Sequence, residues 1–241
     1  MDMQLVFLIC FIGGLLQGAT SFGFAIFLMS LLPFVIPFKT ASILVSFLNF
    51  IIGSQMFFLL RKNLNLKIFL APVLSSIVSG MVGVHLLMLC REDLAKRILG
   101  AVLVLLAIYF VYFSNKNLRL VPNLKFGVII GVISGLLCGM FNIGGPPLVI
   151  YYLYTTASNL EFKANIEFHF AIMALGTTMA HLAYGNVNPE LIKLGVIGVI
   201  SVVTAGFIGL KIFKRLNRNL LCKCIYILMF IMGALLVIKG H

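Results

Sequence analysis

The feature that most constrains this chain is Phe141-Asn142-Ile143-Gly144-Gly145-Pro146-Pro147, which interrupts an apolar run from Phe126 to Tyr154. A single membrane crossing takes roughly 20 residues. This run is longer, and in its middle two glycines relax the backbone just before two prolines that carry no N–H. The expectation is two short half-helices meeting inside a membrane. Ahead of the break Gly127, Gly131, Gly135 and Gly139 recur every four residues. They fall near one helix face and leave it almost without side chains, so that another helix can approach closely.

The rest of the chain fits a membrane setting. Of 241 residues 62% are hydrophobic and 10% charged, which excludes an ordinary soluble domain. The apolar runs are continuous rather than alternating, so the fold class expected is an all-α integral membrane protein and not a β-barrel. The net charge of +12 comes from basic residues in short connections, not from one amphipathic surface. That distribution implies the lipid bilayer as partner and no nucleic acid. Five of the six acids lie near helix ends or connections, Glu167 being the exception. No carboxylate pair, HExxH, GxSxG or P-loop appears, so neither an enzyme nor a primary pump is supported, and no cofactor or metal site is expected. Cys10, Cys90, Cys138, Cys222 and Cys224 lack a metal-ligand spacing and read as packing residues.

The first run, Gln4 to Pro33, follows Asp2 without a preceding Lys or Arg. It lacks the basic start of a cleaved signal peptide and is expected to stay. Its middle, Gly14 to Phe24, is rich in small and polar residues, a second break. A shift of 121 lays Gly14-Leu15-Leu16 on Gly135-Leu136-Leu137, Gly18 on Gly139, Ser21 on Asn142 and Gly23 on Gly144. Shifts of 123 and 126 lay Gly53-Ser54-Gln55-Met56 on Gly176-Thr177-Thr178-Met179, Asn63-x-Asn65 on Asn186-x-Asn188, and Gly80-x-x-Gly83 on Gly206-x-x-Gly209. The chain therefore reads as two related halves, 1–120 and 121–241, within one membrane domain.

Each half holds a broken segment followed by three spans, near 40–60, 68–90 and 96–113, then 163–184, 191–210 and 219–238. If both breaks cross, the basic residues divide ten to eight between the two sides; if both are re-entrant hairpins, they divide twelve to six. The hairpin reading fits the positive-inside bias better. It places both termini outside the cytoplasm and Lys211 to Lys223 inside. It also gives each half an odd number of crossings, so the two repeats are inverted, as in secondary transporters.

Gln17-Gly18-Ala19-Thr20-Ser21-Phe22-Gly23-Phe24 and Gly139-Met140-Phe141-Asn142-Ile143-Gly144-Gly145-Pro146-Pro147-Leu148-Val149-Ile150 resemble the paired signatures of the sulfite exporter TauE/SafE permeases. Glu161-Phe162-Lys163-Ala164-Asn165 is similar to the stretch that opens the helix after the family's second signature. The first signature departs from the family in Ser21 and Phe24, where glycine is common. The resemblance implies a permease of the cell (cytoplasmic) membrane that moves a small anion: sulfite, an organosulfonate or a related sulfur or carboxylate anion.

The residue chemistry points the same way. A half-helix starting after Asn142 would turn backbone N–H groups and the positive end of its dipole toward the gap. Gly144 and Gly145 would let an anion reach that backbone; alternatively they only permit tight packing, and Asn142 caps the helix. Polar stripes follow each break, Ser42, Ser46, Asn49 and Gly53 in the first half and Asn165, His169 and Gly176 in the second. They line a cavity or bond neighbouring helices. The substrate-binding set expected is Gln17, Thr20, Ser21, Gly23, Asn49, Asn142, Gly144, Gly145, Pro146, Asn165 and His169. His169 is the expected proton switch, since imidazole changes charge near neutral pH; hydrogen bonding to a neighbouring helix is the other reading. Glu167 reads as a structural partner of Lys163 four residues back, and His85 and His181 read as packing residues. The function expected is secondary transport driven by an ion gradient, with an anion channel or a membrane scaffold as alternatives and a homo-oligomer as a possible assembly.

Overall fold

The computed structural model describes residues 3–21, 23–113, 123–185, 189–212 and 218–239. Among them are ten α-helices and no strand: α1 (Met3–Thr20), α2 (Phe24–Leu31), α3 (Phe38–Leu60), α4 (Leu66–Leu89), α5 (Glu92–Phe113), α6 (Leu124–Phe141), α7 (Gly145–Thr155), α8 (Asn159–Ala183), α9 (Pro189–Ile212) and α10 (Arg218–Lys239). The six spans read from the sequence correspond to α3, α4, α5, α8, α9 and α10. Five helices, α1, α3, α4, α6 and α9, are long and apolar enough to cross a membrane. The chain is a multi-pass, all-α integral membrane protein. Asn186 and Asn188 of the repeat, and Lys116, Arg119, Lys214 and Arg215 among the basic residues divided between the two sides, lie outside the described residues.

The breaks differ from the expectation of paired half-helices. At 1.5 Å per residue the 18 residues of α1 and of α6 extend about 27 Å, close to the thickness of the hydrocarbon core. Only α2, with 8 residues, and α7, with 11, are short. Each break therefore joins one nearly full-length arm to a short return arm, and its tip lies toward the far end of the bundle. The bare glycine face explains the long arm: it lies flush on a neighbour's backbone and needs no early turn.

Contacts along the helices give their directions. Asn65 bonds Glu161, Ser76 meets His169 and His85 meets Tyr184, so α4 and α8 run parallel. Phe57 stacks on Phe168 while Gly53 abuts Ala171, so α3 runs antiparallel to α8. Gly127, near the start of α6, lies 3.2 Å by its added Cβ from the hydroxyl of Tyr151, near the end of α7. The second broken segment is thus a hairpin, open at the end of the bundle where α8 begins. In the first, Phe24 and Leu28 of α2 return along Gly13 of α1, and this hairpin opens at the other end. Arg61, Lys62, Lys67, Lys125 and Lys211 all lie at the end where α8 begins, called here the basic end; Lys39, Arg91 and Lys193 lie at the opposite end.

The long arms pack on the other half. A Cβ on Gly131, Gly135 or Gly139 of α6 would run into backbone of α4, at Pro72, Ser76 and Gly80. A Cβ on Gly18 of α1 would meet Gly206, Gly209 and Leu210 of α9 at 2.8–3.0 Å. The glycines matched along the sequence are thereby matched in contact, Gly18 with Gly209 and Gly139 with Gly83. Helices α5 and α10 cross closely at Gly100 and Gly233.

Helix α4 contains Pro72, which cannot donate to the Ile68 carbonyl four residues back. The Tyr151 hydroxyl donates to that carbonyl at 3.1 Å and restores its pairing. In a membrane no water does this, so the proline and the tyrosine act together. At the opposite end Glu92 accepts the otherwise unpaired Phe38 N–H at 3.0 Å, capping α3 from the start of α5, and pairs with Lys96 at 3.1 Å.

Candidate functional site

The second tip is built around Asn142. It closes α6 as its C-cap in the left-handed region, φ 60°, ψ 17°, rather than capping the helix that follows. Its N–H bonds Cys138 O at 2.7 Å, and Ile143 N–H bonds Leu137 O at 3.3 Å, pairing the last carbonyls of α6. The side chain is directed at the other half. Asn142 Nδ2 donates to the carbonyl and hydroxyl of Ser42 at 2.9 and 3.0 Å, and Ser46 donates to Asn142 Oδ1 at 2.7 Å. The first polar stripe thus meets the second break.

Helix α7 offers few donors at this tip. Gly144 is its N-cap, without a side-chain cap, and Pro146 and Pro147 contribute no N–H to its first turn. The Gly144 N–H is directed at the Cys138 sulfur. The space a side chain on Gly144 would need is taken by Ser134 O at 2.5 Å and the Cys138 Cβ at 2.9 Å; Gly145 faces Phe170 at 3.2 Å. Pro146 is buried beside them.

The first tip carries the charge. Ser21 closes α1 at φ 67°, its N–H bonded to Gln17 O at 2.9 Å, and Thr20 donates to Leu16 O at 2.8 Å. Gly23 caps α2 at φ 103°, where a side chain would be strained. Gln17, 1% exposed, donates through Nε2 to Glu167 Oε2 at 2.8 Å and accepts from the Phe24 N–H, at the start of α2, at 3.4 Å. Lys163 donates to Gly18 O at 2.7 Å. Lys163 and Glu167 are 3% and 0% exposed, and the lysine's charge acts on the carboxyl. Glu167 Oε1 has no hydrogen-bond partner. Asn165 donates to Glu161 O at 2.8 Å, and its Oδ1 is likewise buried and unpaired. Unlike α7, α2 begins without proline, so its first-turn N–H groups are present.

Between the tips lies His169. Its Nε2 is 2.8 Å from Ser76 Oγ and its Nδ1 2.8 Å from the Tyr152 hydroxyl. Ser76 donates its own proton to Val73 O at 2.8 Å. The consistent assignment has Nε2–H donating to Ser76 and Tyr152 donating to Nδ1, a neutral ring satisfied on both sides. Phe69 and Tyr152 hold it edge-on. Asn49 is buried on α3 between Ser46 and Gly53.

The expected site residues therefore form two groups rather than one. Ser46 and Glu167 lie on opposite sides of the Gly53–Ala171 contact, eleven helical residues in total, so the tips are about 16 Å apart along the bundle. Gln17, Thr20, Ser21, Gly23 and Asn165 belong to the first, Asn142, Gly144, Gly145 and Pro146 to the second. Asn49 and His169 fall in neither, His169 being held by Ser76 and Tyr152 between the tips; Lys163 and Glu167, at the first tip, were not in the expected set. The available signal was Glu167 itself, the one acid deep in an apolar helix; nothing in the sequence pairs it with Gln17, 150 positions away.

Neither the curated proteins nor the solved structures contain a match to this chain. The family model described as sulfite exporter TauE/SafE matches residues 6–236. That match spans both hairpins and every helix between them, and on it the chain belongs to the sulfite exporter TauE/SafE family.

Proposed function

We propose that this protein is a secondary transporter that moves a small anion, sulfite, an organosulfonate or a related sulfur or carboxylate anion, across the cytoplasmic membrane at the expense of an ion gradient. The observation that carries the reading is the exchange of polar contacts between halves: Gln17 and Gly18 of the first hairpin bond α8, and Asn142 of the second bonds α3. Packing of α1 on α9 and of α6 on α4 follows the same exchange. Such an exchange is what two inverted repeats, 1–120 and 121–241, would produce about an axis in the membrane plane, and hairpins opening at opposite ends support alternating access to each tip. Lys163 gives the first tip a cation that an anion can meet, with Gln17, Thr20, Ser21, Gly23 and Asn165 nearest to it; Asn142 and the glycines hold the second tip in shape.

Sulfite uptake into proteoliposomes tests the reading, with counterflow separating carrier from channel. Trans-stimulation by internal sulfite is expected. Uptake without trans-stimulation indicates a channel, and a failure of sulfite, methanesulfonate and acetate all to move or to stabilise the protein against heat leaves the scaffold reading.

A further inference from the structure

Glu167 is the feature that packing does not explain. It is fully buried and one of its oxygens has no partner, so a carboxylate that faces Lys163 and Gln17 is left only half satisfied in an apolar bundle. Its other oxygen holds the Gln17 amide, and the Lys163 charge acts on it from one turn earlier. Gln17 and Lys163, with the start of α2 behind them, are the groups a bound anion would use. Resting on the transport reading, we infer that the Glu167 carboxylate occupies in the empty protein the place that the substrate's negative charge takes in the loaded one.

Protonation of Glu167 then frees the Gln17 amide and the Lys163 charge, and a monovalent anion replaces the carboxylate. The step balances: one proton goes to a Glu167 oxygen, one anion joins Lys163, and the net charge of the site is unchanged. That neutrality is the physical gain. Either component alone would leave an uncompensated charge in low dielectric, whereas the two together do not. Proton and anion are consequently bound at once, and a monovalent anion suits the site better than a divalent one.

Other ionisable groups on the packed elements do not take this part. On α8 itself His169 is bonded on both ring nitrogens to Ser76 and Tyr152, and Glu161 is bonded to Asn65 and the Ala157 N–H. Arg61 and Lys62 after α3, Lys67 of α4, Lys125 of α6 and Lys211 of α9 are exposed at the basic end. Lys39 of α3, and His85 and His181 of α4 and α8, lie toward the opposite end. The helical residues of α1, α2 and α7 include no Asp, Glu, Lys, Arg or His.

The test is the affinity of purified protein for methanesulfonate, whose charge is fixed, from pH 5 to 8. Wild type should bind more weakly as pH rises, by up to about tenfold per unit once Glu167 is ionised, and should take up a proton on binding. Both effects should vanish in Glu167→Gln and persist in His169→Gln. A pH dependence unchanged in Glu167→Gln overturns the inference, as does its loss in His169→Gln alone. If Glu167→Gln fails to fold, wild type decides: dicyclohexylcarbodiimide, which attacks protonated carboxyls, should modify Glu167 faster with methanesulfonate present, and an unchanged rate overturns the inference. Sulfite uptake without any methanesulfonate binding also overturns it while leaving transport intact; absence of both removes the transport reading itself.

Discussion

Ser21 and Asn142, 121 positions apart in the chain, are the two non-glycine residues with positive φ among the described residues, at 67° and 60°. Each ends the long arm of a hairpin, and each sits where glycines on that arm press against the other half. A left-handed residue reverses the chain within one step, which a continuing helix cannot do. Only the second tip fills its position with an amide long enough to bind the facing serines.

Substitution at Asn142 should separate backbone from side chain. Asn142→Gly keeps the conformation and loses the bonds to Ser42 and Ser46; Asn142→Ala loses the same bonds and adds a left-handed penalty of about 1–2 kcal/mol. Alanine should therefore be the less stable variant, the reverse of the order in a helix interior. Melting temperatures in detergent check this, and equal values would show that the φ contributes nothing.

Close approach at the glycine faces should make the cost of a methyl group depend on position. Gly139→Ala puts a Cβ against Gly80 O and Gly144→Ala puts one 2.5 Å from Ser134 O, each expected to cost about 1–3 kcal/mol. Gly176→Ala, in the interior of α8, meets nothing within 4 Å and should stabilise by about 0.5–1 kcal/mol. A Gly144→Ala protein of wild-type stability that had lost only anion affinity would restore this glycine to the binding surface.

The Pro72–Tyr151 relationship is open to a double-mutant cycle. Tyr151→Phe leaves Ile68 O unpaired and should cost about 0.6 kcal/mol, the average for hydrogen bonds inside membrane proteins, and at most about 1.7 kcal/mol. In a Pro72→Ala background the helix supplies its own N–H, and the same change should cost close to nothing. Equal costs in the two backgrounds would mean that the hydroxyl acts elsewhere.

Orientation is testable by labelling. In a background without native cysteines, single cysteines at 62, 67, 125 and 211 should be shielded from an impermeant reagent in intact cells, while those at 39, 91 and 193 react. The positive-inside bias sets this direction; the reverse pattern would invert the orientation, and a mixed pattern would contradict the hairpins.

The sequence by itself determined where the helices lie and that two of the apolar runs are broken, because apolar run length and, at the second break, paired glycines and prolines act locally on the backbone; at the first, Gly14 and Gly18 stay helical and α1 ends only at Thr20. It also set the matching of Gly18 and Gly83 with Gly139 and Gly209, and the clustering of basic residues in alternate connections. Only the tertiary structure decided which faces meet. Spacing places Gln17, Glu167, Asn142 and Ser46 on helix faces but says nothing of the direction in which each face points, and those directions follow from long arms laid on foreign glycine stripes. The arms run about 27 Å, so the tips pass one another and stop about 16 Å apart. Glu167, the one buried acid among the described residues, thereby comes to rest on the first tip, with the second tip left to neutral amide and hydroxyl groups.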